Sequence, residues 1–353
     1  MGRCVFMRWG VVLLAGILPA GVWAASARAA SDSLYYETRT AMGTTVEVYL
    51  YAADAGRAAA LFEAVFEEIE RVEAALSTYR STSELSRINT YADAMPVTTD
   101  PEVFGLIGRA LAFSRQTDGA FDITVGRLMK AWGFFRGQGR FPSTDELAEA
   151  RKQTGWQYVT LDTTARAVRL GRMGLQLDMG AIGKGYAIDQ VVRLLRAQGV
   201  SAVLIGTGQS SYYAVGAPPG EAGWPIKVPV PFDRAQTLST VRLRDAALST
   251  SGNYEKFFEL EGRRYCHIMD PRTGRPVEGM VQVTVIAPSA ADSDALATSV
   301  FVLGPDAGKT LLDDHPGTAA LLVTGTIEQA RVVSLGWPEA VEPGYTVQNN
   351  NQP

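Results

Sequence analysis

Residues 178–187 read Asp-Met-Gly-Ala-Ile-Gly-Lys-Gly-Tyr-Ala and carry three glycines between an apolar strand pattern and a helix pattern. Glycines allow close backbone approach, and the free N–H groups at the start of a helix attract an anion. Lys184 adds a positive charge, so the stretch predicts either a phosphate-binding turn or only a tight strand-to-helix connection. It is not a nucleotide-triphosphate loop, because no Ser or Thr follows the lysine. It is not the dinucleotide fingerprint either, because the glycine spacing differs.

Strand and helix patterns mix without strict alternation on both sides of this stretch. Apolar alternation and short apolar runs predict strands at 38–51, 175–179, 202–205, 211–215, 265–269, 281–287 and 319–323. Helical spacing and end signals predict helices over 62–76, from Asp100-Pro101 to near Gly119, from the glycine-rich stretch to about Gly199, and over 294–303. This order predicts an α+β fold rather than a doubly wound parallel sheet.

The N-terminus has the order of a secretory signal. Arg3 and Arg8 precede an apolar run over 11–23, and small residues follow as far as Ala30. The alternative is a retained membrane anchor, but a proline and a glycine interrupt the run. The run is also shorter than the roughly 20 residues that span a bilayer. We therefore expect cleavage near Ala30 and an exported, periplasmic mature protein without a membrane span.

The bulk composition is that of an ordinary globular protein, with 46% hydrophobic and 20% charged residues among 353. We expect one domain over 31–345 and a disordered polar tail over 346–353. The net charge is −4 and becomes −7 without the first 30 residues, which hold three arginines and no acidic residue. Nucleic acid is therefore not an expected partner. Only two histidines are present, which excludes a multi-histidine zinc or copper site.

Asp294 and Thr298 stand one turn apart in a helix pattern, so both side chains point to one face. One anionic and one neutral oxygen suit a hard cation that keeps waters or substrate phosphates as its other ligands. The same residues fit an ordinary helix start, with Asp292 or Ser293 as the N-cap and Asp294 in solvent. The pattern alone leaves both interpretations open.

Residues 265–276 combine the end of a strand with a Pro/Gly turn and include Cys266 and His267. A Cys–His dyad is not expected, because adjacent strand residues point to opposite faces. His267 is a candidate general base, with a hydrogen-bonded structural histidine as the other interpretation. The simplest interpretation of Asp270 is a side chain that stabilises the turn.

Residues 117–126 end a helix, turn at Gly119 and continue into a mixed polar and apolar segment. One interpretation is that Phe121 faces a flat ring and that Asp122 accepts hydrogen bonds from it. The simpler interpretation is a helix C-terminus followed by a core phenylalanine.

These stretches, in this order, resemble the ApbE family of FAD:protein FMN transferases. The resemblance runs from about residue 35 to about residue 325. The matching stretches are 42–44 (Met-Gly-Thr), 77–80 (Ser-Thr-Tyr-Arg), 118–122 (Asp-Gly-Ala-Phe-Asp), 178–185, 247–251 (Ala-Leu-Ser-Thr-Ser), 267–274 (His-Ile-Met-Asp-Pro-Arg-Thr-Gly) and 294–298.

The resemblance implies a role for each matching residue. The substrate FAD would contact Met42, Tyr79, Ala120, Phe121, Asp122, Asp178, Lys184 and Ile268. Magnesium would be held by the side chains of Asp294 and Thr298 and by the carbonyl oxygens of Ala181 and Ala291. His267 would be the base, and the fold would place the flavin-binding cleft between two lobes.

One stretch departs from the family pattern. Many members carry Asn-x-Gly-Gly-Asp after the strand that follows the glycine-rich helix, whereas residues 206–211 here read Gly-Thr-Gly-Gln-Ser-Ser. The departure bears on the choice of acceptor protein and on transfer itself.

The resemblance implies magnesium-dependent cleavage of the FAD diphosphate. FMN would pass to a Thr or Ser hydroxyl of an exported or membrane redox protein, and AMP would leave. With water in place of the acceptor, the same site would be an FAD pyrophosphatase. Without catalysis, the chain would be a periplasmic flavin-binding protein. These three functions stay open on the sequence alone.

Overall fold

The computed structural model describes residues 32–135, 137, 139–208, 210–326, 329–342 and 347–349. The expected signal over 1–30 and the side chain of Gln209 lie outside these residues. No helix among the described residues is both long and apolar enough to cross a membrane.

Helices and strands mix along the chain, which confirms the α+β prediction. The helices are α1 (Ala55–Leu76), α2 (Glu84–Tyr91), α3 (Pro101–Gln116), α4 (Gly126–Ala131), α5 (Thr144–Lys152), α6 (Gly183–Ala197), α7 (Ala290–Leu303) and α8 (Pro305–Asp313). The strands are β1 (Ser33–Ala41), β2 (Thr44–Ala52), β3 (Val97–Thr98), β4 (Val159–Asp162), β5 (Ala167–Leu170), β6 (Val203–Thr207), β7 (Ser211–Val215), β8 (Trp224–Val230), β9 (Asp233–Leu243), β10 (Ala246–Gly252), β11 (Phe257–Leu260), β12 (Arg263–Cys266), β13 (Met269–Asp270), β14 (Arg275–Pro276), β15 (Met280–Ala287), β16 (Ala319–Thr324), β17 (Arg331–Leu335) and β18 (Val347–Asn349).

One nine-stranded sheet organises the molecule, in the order β1-β2-β6-β7-β10-β15-β16-β17-β18. Its strand pairs are antiparallel except β17 and β18. Apolar side chains of α1 and α6 pack on one face of β2, β6 and β7, and the β8–β9 hairpin packs on the opposite face. Because strand side chains alternate between faces, the sheet contributes side chains to two separate hydrophobic clusters, one on each face.

The N-terminal strand predicted over 38–51 is wrong, since the chain forms a hairpin there. β1 and β2 pair in register and are joined by Met42 and Gly43, whose φ angles are 51° and 71°. A two-residue turn with two positive φ angles matches the twist of a β-hairpin. Methionine is unusual at a position with positive φ, so residue type does not mark this turn.

The strand predicted over 175–179 is also wrong. The side chain of Asn89 accepts from the amide of Leu177 at 2.7 Å and donates to its carbonyl oxygen at 2.9 Å. The amide of Asp178 donates to the carbonyl oxygen of Ile123 at 2.7 Å. The segment therefore satisfies its backbone through a side chain and a loop, and makes only an isolated bridge between Gln176 and Val125.

The later helix, α7, begins four residues before the predicted start. Its N-cap is Ser289, whose hydroxyl accepts from the amide of Asp292 at 3.2 Å. Neither Asp292 nor Ser293 is the cap, so that expectation is wrong. Asp294 consequently lies inside the helix and is only 6% exposed.

The C-terminal residues contribute a final strand. Val347–Asn349 pairs with β17 in parallel. The other residues of the tail expected over 346–353 lie outside the described residues, and the domain bounds stay predictions.

Candidate active site

The start of α6 lies directly against the first turns of α7. The backbone amide of Gly185 donates a hydrogen bond to Oδ2 of Asp294 at 3.1 Å. A Cβ atom at position 185 would collide with the carbonyl oxygen of Ala290, so only glycine permits this approach. The glycine-rich turn and the acidic residue that the sequence singled out therefore meet in space.

Asp189 fixes the relative position of the two helices. Its carboxylate accepts from the hydroxyl of Ser289 at 2.8 Å and from the amides of Ala290 and Ala291 at 2.8 and 3.0 Å. These amides are the unsatisfied donors at the start of α7, and a carboxylate is their favourable partner. Arg109 of α3 adds an ion pair of 2.7 Å to Asp292.

The stretch that departs from the family pattern holds Lys184. The ammonium of Lys184 donates to the hydroxyl of Ser210 at 3.0 Å, and Ser210 donates in turn to the carbonyl oxygen of Thr207 at 3.2 Å. The helix that Lys184 belongs to has no side-chain N-cap. The positive end of the helix dipole and the ammonium of Lys184 therefore both favour an anion here. The amides of Gly183 and Gly185 already donate to the carbonyl oxygen of Met179 and to Asp294.

The nearby Gly208 adopts φ 58°, and a Cβ atom there would collide with the hydroxyl of Thr44. The β6–β7 turn thus touches the β1–β2 hairpin. The tip of that hairpin carries Met42, whose amide donates to Glu73 at 2.7 Å.

Asp294 and Thr298 fit a hard cation. Burial raises the pKa of Asp294, while the charge of Lys184 and the amide of Gly185 act in the opposite direction. The hydroxyl of Thr298 lies 3.4 Å from that of Ser251. No three His, Cys, Asp or Glu residues cluster for a metal within the described parts of the chain. One buried carboxylate and one hydroxyl suit a hard cation such as Mg²⁺, which keeps waters and phosphates as further ligands, better than structural zinc.

A second part of the site surrounds Asp178. A cleft of about 240 Å³ is lined by Thr78, Asn89, Lys130, Phe135 and Asp178, among others. Burial raises the pKa of Asp178, and the amide of Gly180 and the charges of Lys256 and Lys130 oppose that shift.

Tyr79 stands at the same cleft. Its ring stacks on Phe135, which lines the cleft, with ring centroids 4.8 Å apart and an interplanar angle of 10°. Half of Tyr79 is exposed, so its ring remains accessible to a planar ligand.

His267 connects the two parts electrostatically. Its Nδ1 lies 3.2 Å from the carbonyl oxygen of Lys256. Because a carbonyl only accepts, Nδ1 carries the proton, and Nε2 keeps its lone pair. Burial, the charge of Lys256 and the charge of Lys184 together lower the pKa of His267 to about 4. Lys256 thus acts on both Asp178 and His267, and Lys184 acts on both His267 and Asp294.

Two predicted flavin contacts serve the fold through their side chains. Phe121 is 1% exposed and packs on Phe113 with centroids 5.7 Å apart. Asp122 accepts from the amides of Thr124 and Trp156 at 2.8 and 2.9 Å. Their roles toward FAD, and that of the buried Ala120, stay predictions.

The remaining predicted residues flank the same region. Ile268 is buried and follows His267, while its carbonyl oxygen accepts from the amide of Val277 at 2.9 Å. Ala181 is half-buried in the turn that precedes α6, and Ala291 is fully buried in the first turn of α7. Their carbonyl contacts with a cation stay predictions.

Sequence reasoning missed Asp189 and Lys256, and it named Ser210 only within the stretch 206–211 that departs from the family pattern. Each acts through a partner far away in the chain, such as Ser210 on Lys184, so no local spacing marks them. Asp189 follows the glycine-rich stretch on the same helix, which is the only signal that could have drawn attention to it.

Comparison with known proteins yields relatives of one kind. The model of the ApbE family matches residues 42–322. An FAD:protein FMN transferase of Treponema pallidum is 33% identical over 94% of this chain and 97% of its own. One from Klebsiella pneumoniae is 36% identical over 83% of this chain and 90% of its own.

Solved structures agree with these relatives. The crystal structure of the ApbE protein from Thermotoga maritima has a TM-score of 0.77 at 33% identity and covers 85% of this chain and 96% of its own. The apo form of the Pseudomonas stutzeri flavinyl transferase ApbE has a TM-score of 0.77 at 32% identity, and the match covers 87% of this chain and 96% of its own.

Proposed function

Because this chain belongs to the ApbE family, we propose that it cleaves FAD and transfers the FMN half to a protein, as the names of its relatives describe for them. It is a transferase of that class. One observation carries the proposal: the Gly185 amide meets the buried Asp294 carboxylate at 3.1 Å, which joins an anion-binding turn to a cation site.

The cation in this proposal is Mg²⁺. Asp294 and Thr298 would hold it through their side chains, and Ala181 and Ala291 through their carbonyl oxygens. Bound Mg²⁺ would neutralise charge that builds on the phosphate oxygens.

The protein's own groups bind and orient the dinucleotide. The ammonium of Lys184, at the positive end of the α6 dipole, binds the diphosphate, because charge-assisted hydrogen bonds to phosphate are strong. Ser210 keeps that ammonium in place. The cleft beside Asp178 receives a ring of FAD near Tyr79, which stacks on the cleft residue Phe135 and is 51% exposed.

The transfer step needs a base beside the phosphates. The hydroxyl oxygen of an acceptor Thr or Ser bonds to the FMN-side phosphorus, and the bond from that phosphorus to the bridging oxygen breaks. AMP leaves with the bridging oxygen, and the hydroxyl proton passes to Nε2 of His267. A low pKa in the free protein keeps this ring neutral and ready to accept. The negative diphosphate, once bound, raises the pKa of His267 and makes it a stronger base.

The acceptor is an exported or membrane redox protein. The charged, apolar and small-residue order over 1–30 supports this part of the proposal, because a secretory signal would direct the mature chain to the periplasm.

The test incubates the mature chain with FAD, Mg²⁺ and candidate periplasm-facing redox proteins, and measures AMP and the acceptor mass. We expect AMP and an acceptor heavier by one FMN, and we expect His267→Ala to bind FAD without transfer. His315→Gln is the matched control, because His315 stacks on Phe113 outside the site. Transfer by His267→Ala at the wild-type rate would remove His267 from the mechanism. Free FMN without acceptor would indicate a pyrophosphatase, and intact FAD a flavin-binding protein.

A further inference from the structure

Three hydroxyl groups on neighbouring strands are buried without a hydrogen-bond partner among the described residues. They belong to Thr207 of β6, Ser211 of β7 and Ser249 of β10, each at most 1% exposed. Buried polar groups in native proteins are nearly always satisfied by protein or by ordered water. We therefore expect these three hydroxyls to have a hydrogen-bond partner that does not belong to the described chain.

The three side chains form a row on one face of the sheet. Thr207 lies directly opposite Ser211, and Ser211 lies directly opposite Ser249. Directly opposed residues of antiparallel strands share a face, with Cβ atoms about 5 Å apart. The row runs across three strands and ends on β10.

The β10 end of the row faces Asp294. Two residues further along the same strand face, the hydroxyl of Ser251 lies 3.4 Å from that of Thr298. Two residues before Ser249, Ala247 belongs to the same packed cluster as Ala290. Two residues of a strand span about 7 Å, and four residues of a helix span about 6 Å. Every second residue of β10 therefore lies level with every fourth residue of α7. On this spacing we place Ser249 opposite Asp294, midway between the Ala247–Ala290 level and the contact of Ser251 with Thr298.

The chemistry of the row selects its ligand. A hydroxyl both donates and accepts one or more hydrogen bonds and carries no charge, as water does. Buried waters typically bind about three such groups. Mg²⁺ gives up its waters reluctantly and usually keeps several of them.

We propose that Thr207, Ser211 and Ser249 bind ordered water molecules that complete the hydration shell of the cation at Asp294 and Thr298. This inference rests on the proposed function, because that function supplies the cation. Removal of such outer-shell partners lowers metal affinity by about 10- to 100-fold.

The experiment uses Mn²⁺ as a paramagnetic probe and the mature chain as it exists. Free Mn²⁺ is measured by electron paramagnetic resonance for the wild type, Ser249→Ala, Ser211→Ala and Asp294→Ala. Ser299→Ala is the matched control, since Ser299 is equally buried on α7 but donates to the carbonyl oxygen of Ala295 at 2.7 Å. The midpoint of thermal unfolding is recorded with EDTA and with Mn²⁺.

We expect about tenfold weaker Mn²⁺ binding for Ser249→Ala and Ser211→Ala, a smaller Mn²⁺-induced rise in Tm, and no binding for Asp294→Ala. In EDTA, Ser249→Ala should unfold at the wild-type temperature or above, because it loses an unpartnered hydroxyl. Wild-type affinity in both serine variants, with binding lost in Asp294→Ala, would overturn the water site and leave the proposed function intact. Unchanged affinity in Asp294→Ala as well would overturn both.

Discussion

Asp189 of α6 accepts a hydrogen bond from the backbone amide of Ala290 of α7 at 2.8 Å. This contact, with the two others that Asp189 accepts, sets the register between the helices. Gly185 and Asp294 meet because that register holds. Asp189 thus positions the site, although it is not among the residues that we assign to FAD or the cation.

Replacing Asp189 with Asn should destabilise the fold. One carboxylate oxygen would become an NH₂ group that faces the backbone donors of α7, so at least one hydrogen bond is lost. We expect the free energy of unfolding to fall by about 1–3 kcal/mol in urea denaturation. Asp313→Asn is the control, because its ion pair with Lys309 is on the surface and should be worth less than about 1 kcal/mol. Equal stability of the two variants would contradict the role of Asp189.

Replacing Lys184 with Met should weaken FAD binding. The ammonium is the only side-chain cation that we assign to the diphosphate, and a charged hydrogen bond contributes roughly 1.5–3 kcal/mol. That loss corresponds to an increase in Kd of about 10-fold or more. Titration of the flavin absorbance in EDTA, which prevents turnover, measures it. Lys227→Met on the exposed face of β8 should leave Kd unchanged, and a similar Kd for both variants would refute the assignment.

Replacing Met42 with Asn should weaken FAD binding without lowering the stability of the fold. Asparagine tolerates the positive φ of this turn better than methionine does, so we expect equal or higher stability. Loss of the methionine side chain should raise the Kd for FAD. Urea denaturation and flavin titration on the same preparation give both values. Unchanged FAD affinity would show that only the backbone of Met42 matters.

The pH dependence should follow His267. Its pKa of about 4 in the native protein lies below the value of roughly 6.5 expected in the unfolded chain. Between these values the unfolded chain binds more protons, so this residue makes the native state less stable as pH falls from 6.5 toward 4. The acid limb of kcat/KM, which reports the free enzyme, should accordingly lie well below pH 6.

His267→Gln supplies the control for that profile. Glutamine does not titrate, so the stability of this variant should change less between pH 6.5 and 4 than that of the wild type. An acid limb near pH 6.5 in the wild type would mean that the ring is not held in the environment described.

The elements that could be predicted from sequence are those with local signals. Asp100 caps α3 through the amide of Glu102, and Gly199 follows α6 with φ 78°, as their positions predicted. The hairpin turn at Met42 could not be predicted, because its left-handed backbone is imposed by the pairing of β1 with β2.

The same division holds for the site. The glycine-rich turn and Asp294 were found because glycines and carboxylates reveal their chemistry by residue type. Their convergence was only a hypothesis, since the hydrogen bond between them joins residues 109 positions apart. The hydroxyl row was beyond prediction, because strand register decides whether Ser211 faces Ser249.

The most direct test of the central claim is a crystal structure of the mature chain with FAD and Mn²⁺, with Mn²⁺ located by anomalous scattering. We predict one peak roughly 2.2 Å from a carboxylate oxygen of Asp294 and bound to Thr298, with the FAD diphosphate against Lys184 at the start of α6. An anomalous peak away from Asp294, or a diphosphate bound far from the start of α6, would contradict the account.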